Sequence, residues 1–429
     1  METQSMGEQV VSAREISTTC CIVGGGPAGM MLGFLLARAG VDVTVLEKHA
    51  DFLRDFRGDT IHPSTLRLMD ELGLLDELLR LPHSQLAKLG AMIGETPIKF
   101  ADFSFLGPRY GFIAFMPQWD FLNFLASKAA AYPNFRLIMQ AEATDLIEDN
   151  GRVAGVKAMT RDGPLTVRAT LTVGCDGRHS VVRRQAGFEV QDIGAPIDVF
   201  WLRLSRRPDE PQTSGRFNAG SFFAVIDRGD YYQIAYVIPK GASDAIRDGG
   251  IEAFRKIVAD NLPFLADRVD ELRNWDDVKL LSVRIDRLST WFRPGLLCIG
   301  DAAHAMSPMG GVGINLAIQD AVAAANILWR PLADGTLKTY ELAKVQRRRM
   351  FPTRVTQRLQ VLAQNRIIQP VLGAAQPLSV PRMMRLIDRT PWLQRIPARI
   401  IGVGIRPEHI QSPARAPARA VREGTARSQ

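Results

Sequence analysis

Cysteine is scarce, with four in 429 residues. Cys20 and Cys21 are adjacent in one apolar run, and Cys175 and Cys298 each close another. None has the spacing of a metal site or of a redox Cys-x-x-Cys pair. They read as small buried hydrophobes, and a reducing, cytoplasmic setting is expected. Long apolar runs are missing too: none approaches the roughly 18 residues of a membrane-spanning helix. The first 17 residues are polar and mixed in charge. They lack the apolar stretch of a signal peptide and read as a frayed leader. There is no internal repeat, and no second GxGxxG follows a strand. Acidic residues run short only at one end. From Glu341 onward there are 17 Lys or Arg against 4 Asp or Glu, a balance of +13 that leaves −5 for residues 1–340. The basic excess therefore belongs to the C-terminal region, and nucleic-acid binding by the whole chain is not expected.

What is present is ample apolar material, 46% of residues, and a length that suits two or three domains. The most informative stretch is an apolar, β-favouring run from Thr18 to Val23. It feeds Gly24-Gly25-Gly26-Pro27-Ala28-Gly29 and then a second apolar run from Met30 to Ala39. That is the order strand, glycine turn, helix. Gly24 allows the tight turn, Gly26 lets backbone approach a pyrophosphate, and Gly29 lets helix and strand pack closely. The amides at the helix start favour an anion. A second strand, Val41 to Leu46, ends at Glu47, where a carboxylate can accept hydrogen bonds from a ribose.

Further along, Pro63 sits where a helix begins, with Leu66, Met69 and Leu72 at helical spacing and Gly73 as its stop. Gln118 to Ala131 reads as a helix. Phe135 to Thr170 reads as strands of a meander, and Leu171 to Val173 as a short buried strand before Gly174-Cys175-Asp176-Gly177. Residues 191–284 differ in texture: Val199–Leu204, Ser221–Ile226 and Tyr231–Ile238 read as aromatic-rich antiparallel strands, Ile251–Asn261 as a helix and Val278–Ile285 as a returning strand. A buried strand then leads into Gly300-Asp301-Ala302-Ala303-His304. A helix is expected from about Gly313 to Leu328, and another from Leu337 through Arg347-Arg348-Arg349.

Three motifs stand in one order: the glycine turn at 24–29, Gly174-Cys175-Asp176-Gly177-Arg178-His179-Ser180, and Gly300-Asp301-Ala302-Ala303-His304 continuing to Pro308. Over residues 18–345 the chain resembles the FAD-dependent monooxygenases of the para-hydroxybenzoate hydroxylase type, the class A flavoprotein hydroxylases. The resemblance implies an α/β fold, in which a Rossmann-like FAD-binding domain with a parallel sheet is interrupted by an antiparallel-sheet substrate domain and followed by C-terminal helices. The expected division is residues 1–75, 109–190 and 285–345 for FAD, 76–108 and 191–284 for substrate, 346–410 for the helices, and 411–429 for a disordered tail.

The resemblance also assigns roles. Gly24, Gly26, Pro27, Ala28 and Gly29 would hold the pyrophosphate, and Glu47, with Lys48 beside it, the adenosine ribose. Arg57 would lie near the pyrophosphate and Gln118 near the ribityl chain. Asp176 would support FAD and nicotinamide, and Asp301 would contact ribityl or ribose hydroxyls. Pro308 would shape the wall beside the flavin ring. Gly311, Gly313, Ile314 and Asn315 would set a helix N-terminus and free amides at the N1–C2=O edge, where reduced flavin carries negative charge. The implied reaction is hydroxylation of an aromatic or other hydrophobic small molecule: NAD(P)H, a transient co-substrate, reduces FAD, O2 adds at flavin C4a, and the C4a-hydroperoxyflavin delivers one oxygen atom. A reductase or dehydrogenase of isoprenoid-type substrates, or a non-catalytic FAD-binding redox protein, would show the same FAD motifs.

The residues themselves temper some of these roles. Asp176 can equally cap the helix starting near Ser180. His304 reads as a packed structural histidine, His62 as part of a helix N-cap region and His179 as a surface residue, so no catalytic acid or base is named and no metal is expected. The aromatics of 200–236 are expected to split between the two faces of their sheet. Arg347 to Arg349 reads as a solvated helix face. Residues 351–405 read as helices covering the FAD domain; their many arginines leave open a peripheral membrane contact or a homodimer.

Overall fold

The structure is a computed structural model that describes residues 14–53, 60–210 and 213–415. Strand β1 (Arg14–Val23) leads through the glycine turn into helix α1 (Pro27–Arg38), and β2 (Val43–Glu47) follows. Helix α2 spans Pro63–Glu71, with β3 (Lys88–Ile93) and β4 (Thr96–Asp102) after it. Next come α3 (Gln118–Ala129), β5 (Phe135–Met139), the meander β6 (Ala141–Asp149), β7 (Arg152–Thr160) and β8 (Gly163–Gly174), and the short α4 (Val181–Gln185). An antiparallel series, β9 (Ile197–Ser205), β10 (Ser214–Asn218), β11 (Ser221–Asp227) and β12 (Tyr231–Pro239), precedes α5 (Gly250–Asn261) and β13 (Lys279–Leu281). The chain returns through β14 (Phe292–Arg293) and β15 (Leu296–Cys298) to the long helices α6 (Val312–Ala333) and α7 (Thr339–Ala363), then α8 (Arg382–Arg389) and α9 (Pro391–Ala398).

Two sheets organise the molecule. The first has the order β14-β15-β8-β1-β2-β5, with β7 and β6 added beyond β8. Its inner strands are parallel and share one level: Val23 lies beside Gly174 and Leu46, and Gly174 beside Cys298. The three motif loops and Glu47 therefore leave the same, carboxyl, edge, where open α/β sheets bind ligands. Strands buried on both faces need apolar residues throughout, and Cys20 to Val23, Val43 to Leu46 and Leu296 to Cys298 are all buried. The four cysteines are unpaired, and burial pushes the Cys21 thiol up to about 12, as expected of packing residues rather than nucleophiles. The second sheet, β13-β9-β12-β11-β10-β3-β4, draws its strands from residues 88–102 and 197–281.

Several elements depart from expectation. The buried strand at 171–173 is the last quarter of the twelve-residue β8. It pairs in parallel with β1 from Leu165 to Gly174; its first part has β7 on its other side, and only its end, Thr172–Gly174, lies between two parallel neighbours, β1 and β15. The expected strand Val278–Ile285 shrinks to β13; Val283 and Ile285 are buried without strand pairing. Helix α6 runs past Leu328 to Ala333, with Pro331 in its last turn. Together with the turn before it, α6 is the one helix among the described residues with the length and composition to cross a membrane. It does not present a lipid-facing surface, since 67% of that apolar stretch is buried in the protein, against α1 and α7. Residues 411–415, expected in a disordered tail, are anchored. Arg38 Nη1 donates to Ser412 O at 2.9 Å, Arg415 N donates to Arg38 O at 2.8 Å, and the Asn326 carboxamide accepts from Gln411 N and Ser412 N.

Arg347 to Arg349 is not a solvated face. Arg347 is exposed, but Arg349 is 1% exposed and donates Nε to Asp320 Oδ1 at 2.8 Å and Nη1 to Glu408 Oε1 at 3.1 Å. Arg348 grips Glu408 as well, at 2.7 and 3.0 Å. Asp320 also accepts from His304 Nε2 at 2.6 Å and from the Gly300 amide at 3.1 Å. Burial alone would raise the Asp320 carboxyl, but His304 and Arg349 hold it below the ordinary carboxylate range. An apolar environment tolerates such a charge only when it is paired on all sides. His304 is therefore the packed structural histidine the sequence suggests, its ring tilted 41° against that of Trp291 at 5.0 Å.

Candidate active site

At the carboxyl edge the glycine turn folds against the Asp176 loop. Gly24 has φ +105°, and a Cβ there would stand 2.4 Å from Cys175 O. A Cβ on Gly29 would stand 1.9 Å from Gly24 O, so the turn closes only with glycine at both positions. Gly24 N donates to Leu46 O at 2.8 Å and Cys175 N to Val23 O at 2.7 Å, locking the turn to both neighbouring strands. Helix α1 begins after Gly26 with Pro27 in its first turn, no side-chain cap and no acidic residue there. Space beside Gly26 is open, with no atom within 4 Å of where a Cβ would lie. An uncapped helix start behind an open backbone wall fits an anionic pyrophosphate.

Glu47 ends β2 and is 7% exposed. Its Oε2 accepts from Gly25 N at 2.9 Å and its Oε1 from His49 N at 3.0 Å. The carboxylate thus braces the glycine turn at the position where a ribose would meet it. Lys48, the next residue, is exposed. Arg57 lies outside the described residues. Gln118 is half-buried and opens α3.

Asp176 helps to cap α4 without being its N-cap. The N-cap of α4 is Ser180, whose hydroxyl accepts from Arg183 N at 2.9 Å. Asp176 Oδ2 accepts from Val182 N at 3.1 Å. Its Oδ1 is buried without a partner, and burial raises its pKa. A buried acceptor left open is costly unless a ligand donates to it, and cofactor hydroxyls are suitable donors. Asp301, after β15, is partly exposed and lies 3.6 Å from Arg178 Nη2. That contact joins the second motif to the third. The sequence quotes Arg178 inside its motif but gives no hint that it reaches across.

The loop from Pro308 to Ile314 forms the far wall. A 3-10 turn, Met309–Gly311, precedes α6, whose N-cap is Gly311 and whose first turn holds no acid. The amides of Val312, Gly313 and Ile314 have no partner one turn back. The Asn315 side chain is engaged within the protein. Its Oδ1 accepts from Thr65 Oγ1 at 2.7 Å and from His62 N at 3.2 Å. Its Nδ2 donates to Gly311 O at 3.4 Å. The side chain is committed to tying α6 to α2, because a buried carboxamide has to be satisfied locally. The Asn315 carboxamide therefore positions the loop. His62 supports the same tie: its Nδ1 lies 2.8 Å from Ile401 O, and burial lowers its pKa to about 4. The ring is neutral near pH 7, so Nδ1 is the donor in that bond. His179 is exposed.

Behind this wall runs a row of buried glutamines. Gln357 Nε2 donates to Asp286 O and Ala305 O, Gln360 Nε2 to Ser307 O and Met309 O, and Gln364 Nε2 to Ser307 Oγ, all between 2.5 and 3.2 Å. One edge of α7 and the π-turn after it therefore clamp the strand leading to the wall. Their helical spacing is readable in the sequence, but their inward direction is not.

The second sheet faces the wall with one of its sides. Trp201, Phe217, Phe222, Ala235 and Val237 share an apolar cluster with Met309. Phe217 and Phe222 stack at 4.2 Å. The Trp201 indole N–H is buried without a partner. The opposite side, with Phe200, Phe223, Tyr232 and Tyr236, packs on α5 through Phe254. No group of three or more His, Cys, Asp or Glu suited to a metal ion occurs among the described residues.

A dinucleotide cradle on a parallel sheet, with an aromatic antiparallel sheet over its far end, defines a flavoprotein oxidoreductase. Residues 17–358 match the family described as FAD binding domain. The chain is 33% identical over 386 residues to the 6-methylpretetramide 4-monooxygenase of Streptomyces rimosus, covering 89% of this chain and 92% of that one. Among solved structures, p-nitrophenol 4-monooxygenase PnpA of Pseudomonas putida DLL-E4 superposes with a TM-score of 0.74 at 20% identity, covering 90% of this chain and 97% of that one. OxyS anhydrotetracycline hydroxylase of Streptomyces rimosus gives 0.70 at 23%, covering 90% and 76%. At those identities the two structures speak for the fold. The chain belongs to this FAD-binding family and is an FAD-dependent monooxygenase of the class A flavoprotein hydroxylase type.

Proposed function

We propose that the enzyme hydroxylates an aromatic or other hydrophobic small molecule, using NAD(P)H as reductant and O2 as oxidant. The observation that carries the substrate class is the side of the antiparallel sheet turned to the Pro308–Ile314 wall: Trp201, Phe217 and Phe222 with Met309 give an apolar surface with one unsatisfied N–H donor. Such a surface suits a flat ring system bearing an acceptor oxygen. When bound, FAD supplies the redox chemistry, accepting a hydride and activating O2 at C4a. The protein positions and shields.

In this reading Gly24, Gly26, Pro27, Ala28 and Gly29 hold the pyrophosphate. Glu47 and Lys48 flank the adenosine ribose, and Arg57 and Gln118 lie along the cofactor. Asp176 Oδ1 and Asp301 take cofactor hydroxyls. The Gly313 and Ile314 amides stabilise negative charge on the flavin ring, with Gly311 and Pro308 shaping their approach. The relative that shares 33% identity makes 6-methylpretetramide the first compound to try. The test follows NAD(P)H oxidation, O2 uptake and peroxide together. A true substrate consumes NAD(P)H and O2 one to one, incorporates label from 18O2 and releases little peroxide. Substrate-dependent NAD(P)H oxidation that continues without O2 and yields a reduced product would replace this reading with the reductase.

A further inference from the structure

Exposed large apolar side chains concentrate at one end of the chain. Of the fourteen among the described residues, ten lie at or after Tyr340. Five of these fall on α8, α9 and the π-turn Arg399–Val403 that continues α9: Met383 (65% exposed), Leu386, Trp392 (62%), Ile396 and Ile400. Trp392, Ile396 and Ile400 recur every fourth residue, so they form one stripe along one face. The inward face of the same helices is settled. Met384 packs with Val380 and Ile93, and Asp388 Oδ1 accepts from Lys99 N at 2.8 Å. The stripe is therefore the outer side of a docked pair of helices, and nothing among the described residues covers it.

Its charge is of one sign. Arg382, Arg385, Arg389, Arg395 and Arg399 are all exposed and flank the stripe, and none forms an ion pair among the described residues. The single acid of α8 and α9, Asp388, is turned inward. A soluble surface rarely gathers a Trp, two Ile, a Leu and a Met in one strip. Apolar residues between arginines are the composition of a helix lying in a lipid interface, its apolar face among the acyl chains and its cations at the headgroups. A symmetric dimer through this face would set five arginines against five.

We infer that α8 and α9 form a docking surface for an anionic lipid bilayer. Both helices pack on β4, the edge strand of the antiparallel sheet. Docking would bring the edge of that sheet to the membrane, where apolar compounds partition.

The experiment uses the full-length FAD-loaded enzyme and two kinds of vesicle, phosphatidylcholine alone and phosphatidylcholine with phosphatidylglycerol, at low and high salt. Co-sedimentation is expected with the anionic vesicles only, falling as salt rises. The double variant Arg385→Gln/Arg389→Gln should lower the partition coefficient roughly 20-fold. Trp392→Ser/Ile396→Ser should lower it by about tenfold or more. Both variants change exposed side chains, and flavin content checks that each remains folded. Absence of binding to either vesicle, or equal binding to both, overturns the inference. So does a monomer–dimer equilibrium in sedimentation velocity that the same substitutions abolish, since the surface would then be occupied by a second copy.

Discussion

The two sheets build a site by opposite means. At the edge of the parallel sheet the groups on offer are mostly backbone: glycine turns, helix starts and strand-end amides, with Glu47, Asp176 and Asp301 as the few side chains. On the antiparallel sheet the groups on offer are side chains alone, and the backbone only spaces them. Backbone chemistry is the same in any chain of this shape, so the first region can hold one cofactor across many enzymes. Side chains on a sheet can be exchanged without moving a strand, so in the function proposed above the second region is where substrate choice would be set.

Substitutions can break or sharpen that contrast. The largest effect is expected from Gly29→Ala, one methyl placed 1.9 Å from Gly24 O. It should abolish flavin binding, read as the ratio of flavin to protein absorbance after purification. Next is Arg349→Met, which leaves Asp320 buried with one cation removed; thermal and urea unfolding should show a loss of about 3–5 kcal/mol. His62 comes third. Its folded pKa of about 4 lies below its ordinary 6.5, so the unfolded chain takes the proton first. The contribution is complete above pH 6.5 and declines as pH falls to about 4, by about 3 kcal/mol in all. His62→Gln should flatten the pH dependence of Tm across that window. Asp301→Ala should weaken FAD by about 10- to 100-fold, measured by flavin fluorescence titration. The smallest effect is expected from Trp201→Phe, with FAD affinity unchanged and KM for the substrate raised by about fivefold. If Trp201→Phe released flavin, the division of labour between the sheets would be wrong.

The contrast also decides what the sequence reveals. Gly24, Gly29, Glu47, Asp176 and Asp301 are legible because backbone geometry forces the residue type, and the spacing announces the turn. The aromatics are half legible. A period of two says that Phe200 and Trp201 face opposite ways, but only the docking of α5 fixes Phe200 as core and leaves Trp201 on the side of Met309. The buried charges are not legible. Arg349 stands in a run that reads as solvent-facing, and its partners, Asp320 and Glu408, lie 29 and 59 residues away. Asn315 stands in the expected helix start, but that Thr65 and the His62 amide engage its carboxamide is not legible in the sequence.

The row of glutamines behind the Pro308–Ile314 wall has a consequence of its own. Gln357, Gln360 and Gln364 hold their strand with carboxamides, and a carboxamide neither gains nor loses a proton between acid and alkali. Acidity can therefore slacken the core at His62 and Asp320 while the strand behind the wall keeps its place. An enzyme gripped in this way should keep the alignment of that wall down to the pH at which the fold itself gives way.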